Sequence, residues 1–304
     1  MLRGHELLML GKFVGTATTP AIEKRAAKQW AEQVSADAEV IVADEVFAGL
    51  EEYQACDEKA LYALPCSRAP FICSIVEYKV NSAIEVVVVC HEEKNSEMLR
   101  AAIDVRLLNL TMTDDQRRSA ESADLVLVGT VIVHSGSSSL LFAIGEFYIF
   151  MHTDGKILLA TSAIYPDGAG LVQDAARELV LWSRYTVLYT FNLANCKNTI
   201  LEVRKRPAGQ ARSLRKKYGL AETKYRVVTL AEATKRTLVE AEKSIPGLSA
   251  ALHICRGHFK DYRDPQTKPL FGKHRGIWWW GQHVRGEADA GIIEKTYKAE
   301  GAER

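Results

Sequence analysis

Apolar runs of strand length dominate the middle of the chain. From Phe71 onward FICSIVEY, AIEVVVVCHE and AAIDVRLLNL follow one another, and after a polar connection come DLVLVGTVIVHS (124–135) and LLFAIGEFYIFMHT (140–153). Such runs between polar segments predict strands. Asp154-Gly155 then leads into KILLATSAIY, and Asp-Gly between apolar runs is a strong hairpin signal. This part of the chain therefore predicts a mostly antiparallel sheet.

Two segments have helical spacing instead. In TTPAIEKRAAKQWAEQVSA (18–36), an apolar stripe recurs at every fourth position, and Thr-Pro at the start favours a helix N-terminus. GAGLVQDAARELVLWSRYTVLYTFNLANCKN has a broader apolar face. It predicts a long helix over 169–196 that is buried against the sheet. VIVAD (40–44) predicts a short strand between these helices.

The last third of the chain predicts a smaller β-rich region. A strand over 200–204, a basic helix over 209–218 and a strand over 225–230 precede a hairpin with strands near 253–262 and 276–285. We therefore predict an α+β fold, with a mostly antiparallel sheet packed against a long helix and a basic C-terminal β module. The expected domains are an N-terminal helical extension (1–60), an α+β core (61–200) and the C-terminal module (201–304). The boundary near 200 also allows one continuous domain.

Composition narrows the class of protein. The chain has 304 residues, of which 47% are hydrophobic and 25% charged, as in ordinary globular proteins. No apolar run approaches the roughly 18 to 20 residues that span a bilayer, so we expect a cytoplasmic protein. The six cysteines include no CxxC pair, and the histidines fit no zinc-ligand spacing. No metal or cofactor is therefore predicted.

Charge is distributed unevenly along the chain. Residues 201–304 contain 22 Lys and Arg against 12 Asp and Glu, a net charge of +10, whereas the whole chain carries only +1. Such a basic third favours a polyanionic partner, either nucleic acid or a nucleotide. The predicted contacts are Arg204, Lys205, Arg206, Arg212, Arg215, Lys216 and Lys217 in the basic segment, with Arg256, Lys260, Trp279 and Arg285 in the hairpin. A solvated basic face, or a surface for a second copy of the chain, is the alternative interpretation.

The hairpin also contains residue types suited to acid–base chemistry. Strand alternation predicts that Arg256, His258, Lys260 and Tyr262 share a face, and that Trp279, His283 and Arg285 share one. If His258 and His283 meet across the pair, they can act as base and acid in metal-independent RNA cleavage, with Arg or Lys near the phosphate. The candidate catalytic residues are His258, His283, Arg256, Arg285 and Tyr262. A structural role for both histidines is the alternative, and Trp278 and Trp280 are expected in the core.

The order of motifs resembles a family of uncharacterised phage and prophage proteins. The motifs are FICSIVEY, LANCKN, KYRVVTL, ICRGHFKDY, GIWWWGQHVRG and GIIEKTYKA. The resemblance covers roughly residues 60–304, and RGH, an aromatic strand and HxRG form its C-terminal signature. It implies a phage or mobile-element origin, and hence the host cytoplasm, but it implies no particular activity. The uneven charge distribution also permits a third candidate function, a non-enzymatic inhibitor of a host or defence protein.

Overall fold

Among the described residues, eight strands form one sheet, and five more form smaller ladders near the C-terminus. The structure is a computed structural model, and it describes residues 3–10, 12–13, 29–31, 34, 38–52, 68–96, 113–135, 141–153, 157–164, 173–197, 199–219, 224–230, 251–255, 258–270, 272–280, 283–285 and 287–292. The chain divides into two units, which are Met1–Asn195 with Ile200–Thr229, and Cys196–Thr199 with Leu230–Arg304.

The first unit contains the large sheet, whose strand order is β6-β5-β4-β3-β2-β1-β8-β7. Its strands are β1 (Glu39–Val42), β2 (Cys73–Lys79), β3 (Ile84–Lys94), β4 (Leu125–Ser135), β5 (Leu141–Met151), β6 (Ile157–Ile164), β7 (Thr199–Lys205) and β8 (Lys224–Leu230). The consecutive strands β2 to β6 pair antiparallel. In contrast, β1 runs parallel to both β2 and β8. The sheet is therefore an antiparallel meander that is extended on one side by parallel pairing.

Five helices with defined bounds accompany the sheet in the described part of this unit. They are α1 (Gly4–Met9), α2 (Asp44–Glu52), α3 (Asp114–Ser122), α4 (Gln173–Ala194) and α5 (Ala208–Tyr218). None of the helices in the described residues is long and apolar enough to cross a membrane. The longest, α4, packs with α2 against one face of the sheet, and its apolar residues are buried there. The Tyr78 and Ser183 hydroxyls join sheet and helix at 2.8 Å.

The opposite face of the sheet has two smaller apolar clusters. One consists of Leu7 and Leu8 of α1 with Val87, Val89 and other buried side chains of the sheet. The other surrounds Ala120 near α3. The short helix α1 therefore takes part in the core of the first unit, because its leucines have apolar partners on β3.

The α+β class and the mostly antiparallel sheet are confirmed. The long helix, predicted over 169–196, is confirmed over Gln173–Ala194, and residues 169–172 lie outside the described residues. The basic helix and both of its flanking strands also form at the predicted places. The predicted turn at Asp154-Gly155, the strand over 101–110 and most of the helix over 18–36 lie outside the described residues.

Two predicted domain limits differ from the structure. Residues 200–229 were assigned to the C-terminal module, but β7 and β8 belong to the large sheet, because β8 pairs in parallel with β1. The N-terminal 60 residues were expected to form an added helical extension. Instead, β1 lies inside the sheet and α1 packs on it. Parallel neighbours that are distant in sequence leave no local signal from which the sequence could predict this arrangement.

Candidate functional site

The second unit contains the hairpin in which sequence analysis placed the catalytic candidates. Its strands are β9 (Ala251–Cys255), β10 (His258–Asp261), β11 (Ile277–Trp280), β12 (His283–Arg285) and β13 (Glu287–Ile292). The strand β10 pairs antiparallel with β11, and β9 pairs antiparallel with β12. The predicted hairpin is therefore present, but as two short ladders on the same pair of chain segments.

The register does not bring the two candidate histidines opposite each other. His258 lies opposite Trp280, and His283 lies opposite Cys255. The predicted meeting of His258 with His283 across the strand pair is therefore wrong. A change of register by an odd number of residues moves side chains to the opposite face of an antiparallel ladder. The alternation within each strand predicted which residues of that strand share a face, but it did not predict the register between the two strands. Arg285 lies opposite His253, while Arg256 falls outside the described residues.

The loop of the hairpin uses its arginines internally. The exposed Arg275 guanidinium donates hydrogen bonds of 2.6 to 3.4 Å to four backbone carbonyls, those of Tyr262, Asp264, Pro265 and Thr267. Arg263 pairs with the Asp261 carboxylate at 2.6 Å. The candidate Tyr262 is half-buried, and its backbone N–H donates to the Gly276 carbonyl at 2.9 Å. These contacts shape the loop and occupy cations that would otherwise be available to a ligand.

The aromatic residues of the hairpin also contact each other. The Trp279 ring, predicted as a stacking surface for a base, is half-buried and lies 4.7 Å from the Phe259 ring centroid. Lys260 is half-buried and lies opposite Trp278. Trp278 is half-buried as well, and its indole nitrogen is buried without a hydrogen-bond partner in the described part of the chain. The hairpin therefore resembles a small packed module more than an open cleft.

The basic segment of the first unit offers a more exposed set of cations. Helix α5 has no buried residue, and only Ala211 and Leu214 are half-buried. Arg212, Arg215 and Lys216 are exposed, and among the described residues none of them makes an ion pair. At about 100° per residue these three side chains fall within an arc of about 100° on the helix. They form a cationic stripe, the name used below for Arg212, Arg215 and Lys216.

The other predicted cations of this segment are engaged differently. Arg206 is half-buried, and its guanidinium binds the Glu6 carboxylate through two hydrogen bonds of 2.5 and 2.6 Å. It therefore belongs to an internal ion pair and not to the basic surface that sequence analysis predicted. Arg204 is exposed and pairs with Glu202 at 3.0 Å, and Lys205 is exposed. On α5 itself, the Lys217 amine lies 5.0 Å from the Tyr218 ring centroid.

A buried charged cluster that the sequence did not predict lies beneath α1. The Glu77 carboxylate accepts hydrogen bonds from the backbone and the ring Nδ1 of His5, at 2.9 and 2.7 Å, and from Arg3 at 3.1 Å. Glu85 lies beside it, and His134 Nδ1 is 3.5 Å from its carboxylate. Glu77, Glu85 and His134 stand on neighbouring strands and point to the face that α1 covers. A single glutamate in an apolar strand such as SIVEY gives no hint of a charged partner more than 70 residues away.

The two carboxyl groups of this cluster have opposite pKa shifts. Burial alone raises the pKa of Glu77, but the charges and hydrogen bonds of His5 and Arg3 outweigh it and lower the pKa to about 2. Burial and the neighbouring Glu77 charge raise the pKa of Glu85 to about 7. For His5, burial lowers the pKa and Glu77 more than compensates, so that the pKa is raised. Divergent carboxyl pKa values are typical of acid–base sites. Here His5 and Glu77 are each only 1% exposed, so the pairing fixes α1 on the sheet.

Comparison with known proteins adds no assignment. No family model, curated protein or solved structure matches this chain. Within the described ranges, no group of three His, Cys, Asp or Glu side chains could hold a metal ion. Function is therefore inferred from the cationic stripe on α5 and from the charged cluster beneath α1.

Proposed function

We propose that this protein binds nucleic acid, with the cationic stripe of α5 as its principal contact. The observation that carries the proposal is the exposure of Arg212, Arg215 and Lys216, together with the lack of ion-pair partners for them among the described residues. Exposed cations on one face of a helix bind phosphates by releasing condensed counterions. Lys205 and Arg204 on the preceding strand would extend the contact. The phage or mobile-element origin and the host cytoplasm remain predictions from the C-terminal motifs.

Binding is a better proposal than RNA cleavage. Cleavage without a metal needs a base and an acid on the same phosphodiester. The two candidate histidines, His258 and His283, are not paired across the strands. Binding needs only exposed cations at the spacing of phosphates. The same experiment can monitor cleavage, because a labelled RNA that is cut loses its length on a denaturing gel.

Salt dependence gives the test a magnitude. If the three residues of the stripe each contact one phosphate of a duplex, the slope of log K against log salt is about −2.7. Affinity then falls about 40-fold between about 50 and 200 mM salt. For a single strand the slope is about −2.1, because fewer counterions are released per phosphate.

The decisive variant is Arg212→Gln/Arg215→Gln, measured by fluorescence anisotropy with a labelled 20-base-pair DNA and a labelled single-stranded RNA. For the duplex, the slope of log K against log salt should become less negative by about 1.8. The matched control is Arg117→Gln/Arg118→Gln on α3, where both arginines are exposed and Arg118 pairs with Asp115 at 2.7 Å. Both variants remove two positive charges. If both weaken the slope equally, or if binding by the unmodified protein is insensitive to salt, the proposed contact is wrong.

A further inference from the structure

Helix α5 has little packing of its own to hold it in place. Its 11 residues include none that is buried, and Ala211 and Leu214 are only half-buried. Isolated helices of this length are marginally stable in water. Its orientation must therefore depend on how the two ends of the segment are attached to the sheet.

The N-terminal attachment is an ion pair with α1. Arg206 precedes the helix, separated from it only by Pro207, and it binds Glu6 through Nε and Nη2 at 2.5 and 2.6 Å. Glu6 is fully buried, and the side chain of Arg206 is 13% exposed. The remaining guanidinium nitrogen, Nη1, lies 3.4 Å from Gln210 Oε1 in the first turn of α5. A two-point contact of this kind fixes the plane of the guanidinium as well as its position.

The strand that follows α5 is attached to the same N-terminal segment. The Arg3 guanidinium lies 4.9 Å from the ring centroid of Tyr225 on β8. Arg3 also binds Glu77 at 3.1 Å, and its backbone N–H donates to Glu6 at 2.8 Å. The segment Arg3–Glu6 therefore contacts the chain both before and after α5, while its own position is fixed by Glu77.

We propose that Glu6 is a positioning residue for the cationic stripe: through Arg206 it holds α5 in the orientation that binds polyanions. This inference rests on the proposed function of the stripe. It adds that the contact with α1 sets the orientation of the helix that carries the stripe. A helix released from this anchor would have to be ordered again on binding, and ordering a segment at an interface costs affinity. Glu6 itself is buried and does not touch the ligand.

The charge effect and the positioning effect of Glu6→Gln have opposite signs. Removing a carboxylate makes the protein more positive, so electrostatics alone would tighten DNA binding. Loss of the anchor would weaken it. We expect the dissociation constant for the 20-base-pair DNA to rise three- to tenfold, with no decrease in the salt slope, because all three residues of the stripe remain.

Hydrogen exchange measures the position of α5 without any ligand. In Glu6→Gln the amides of α5 should exchange at least fivefold faster than in the unmodified protein, while those of α3 keep their rates. Arg206→Lys provides a second variant that leaves the net charge unchanged. Lysine retains one charge but not the two-point geometry, so it should also accelerate exchange in α5. If Glu6→Gln does not fold, Arg206→Lys alone decides.

Unchanged exchange of α5 in Arg206→Lys, or in a folded Glu6→Gln, would overturn the inference, and so would tighter DNA binding by Glu6→Gln. These outcomes differ from failure of the proposed function. If the unmodified protein does not bind DNA at low salt, the function of the stripe is wrong, whereas the exchange rates still report whether Glu6 positions α5.

Discussion

Replacement of Glu85 by glutamine should change how the stability of the protein depends on pH. Glu85 has its pKa raised from 4.5 to about 7 by burial and by the charge of Glu77. Between these two values the folded state keeps a proton that the unfolded state has lost. The free energy of unfolding therefore falls as the pH rises from about 4.5 to 7. A shift of this size corresponds to roughly 3 kcal/mol in total, at 1.36 kcal/mol per pKa unit. Glutamine is neutral at every pH, so the substitution removes this fall in the free energy of unfolding.

Urea denaturation followed by far-UV circular dichroism, at intervals between pH 4.5 and 8, measures the effect. Relative to the unmodified protein, Glu85→Gln should gain stability with rising pH, by roughly 3 kcal/mol between the two ends. His5 also has a raised pKa, and its ion pair is lost as the pH rises through the folded value, but both proteins share this contribution. Glu178→Gln, at an exposed position on α4, controls for the loss of one negative charge. Parallel curves for Glu85→Gln and the unmodified protein would show that Glu85 is already ionised when the protein is folded.

Two further substitutions test packing in the two units. Gly129→Ala should destabilise the first unit by about 1 to 3 kcal/mol in urea denaturation, because a Cβ there would lie 2.2 Å from the Phe147 ring; unchanged stability would mean that the ring moves aside freely. Arg275→Gln should accelerate proteolysis of the 262–276 loop without changing the unfolding of the first unit, because four loop carbonyls lose their shared donor. Equal cleavage rates would contradict the role of Arg275 in shaping the loop.

The elements that sequence patterns predicted well are those whose own residues carry the signal. Helix α4 was expected over 169–196 and forms over 173–194, because its apolar positions recur at helical spacing and face the sheet. The strands β4 and β5 were recognised from long apolar runs. The basic helix was expected over 209–218 and forms over Ala208–Tyr218, where Gly219 ends it with a left-handed φ of 70°.

The features that were missed depend on contacts between distant segments. Pairing of β1 with β8 joins residues about 185 apart in sequence, and the sequence of neither strand shows that they are neighbours in the sheet. The phase of the hairpin was also missed, because the intervening loop sets it and alternation within one strand does not. The ion pair of Glu6 with Arg206 was missed for the same reason. In the sequence Arg206 lies in a run of basic residues, so it was predicted to be part of an exposed basic surface.

The buried charges beneath α1 are best explained by their effect on the orientation of α1 and of Arg206. Burying an ion pair costs desolvation energy that its attraction often only offsets, so apolar residues of the same size could stabilise the fold equally well. Apolar attraction is, however, non-directional, so it defines the position of a six-residue helix on the sheet less sharply than hydrogen bonds do. The hydrogen bonds that Arg3 and His5 donate to Glu77 orient α1 on the sheet, and the contact with Glu6 then orients Arg206. Because only Pro207 separates Arg206 from α5, these buried bonds extend the order of the core to an exposed helix that has little packing of its own.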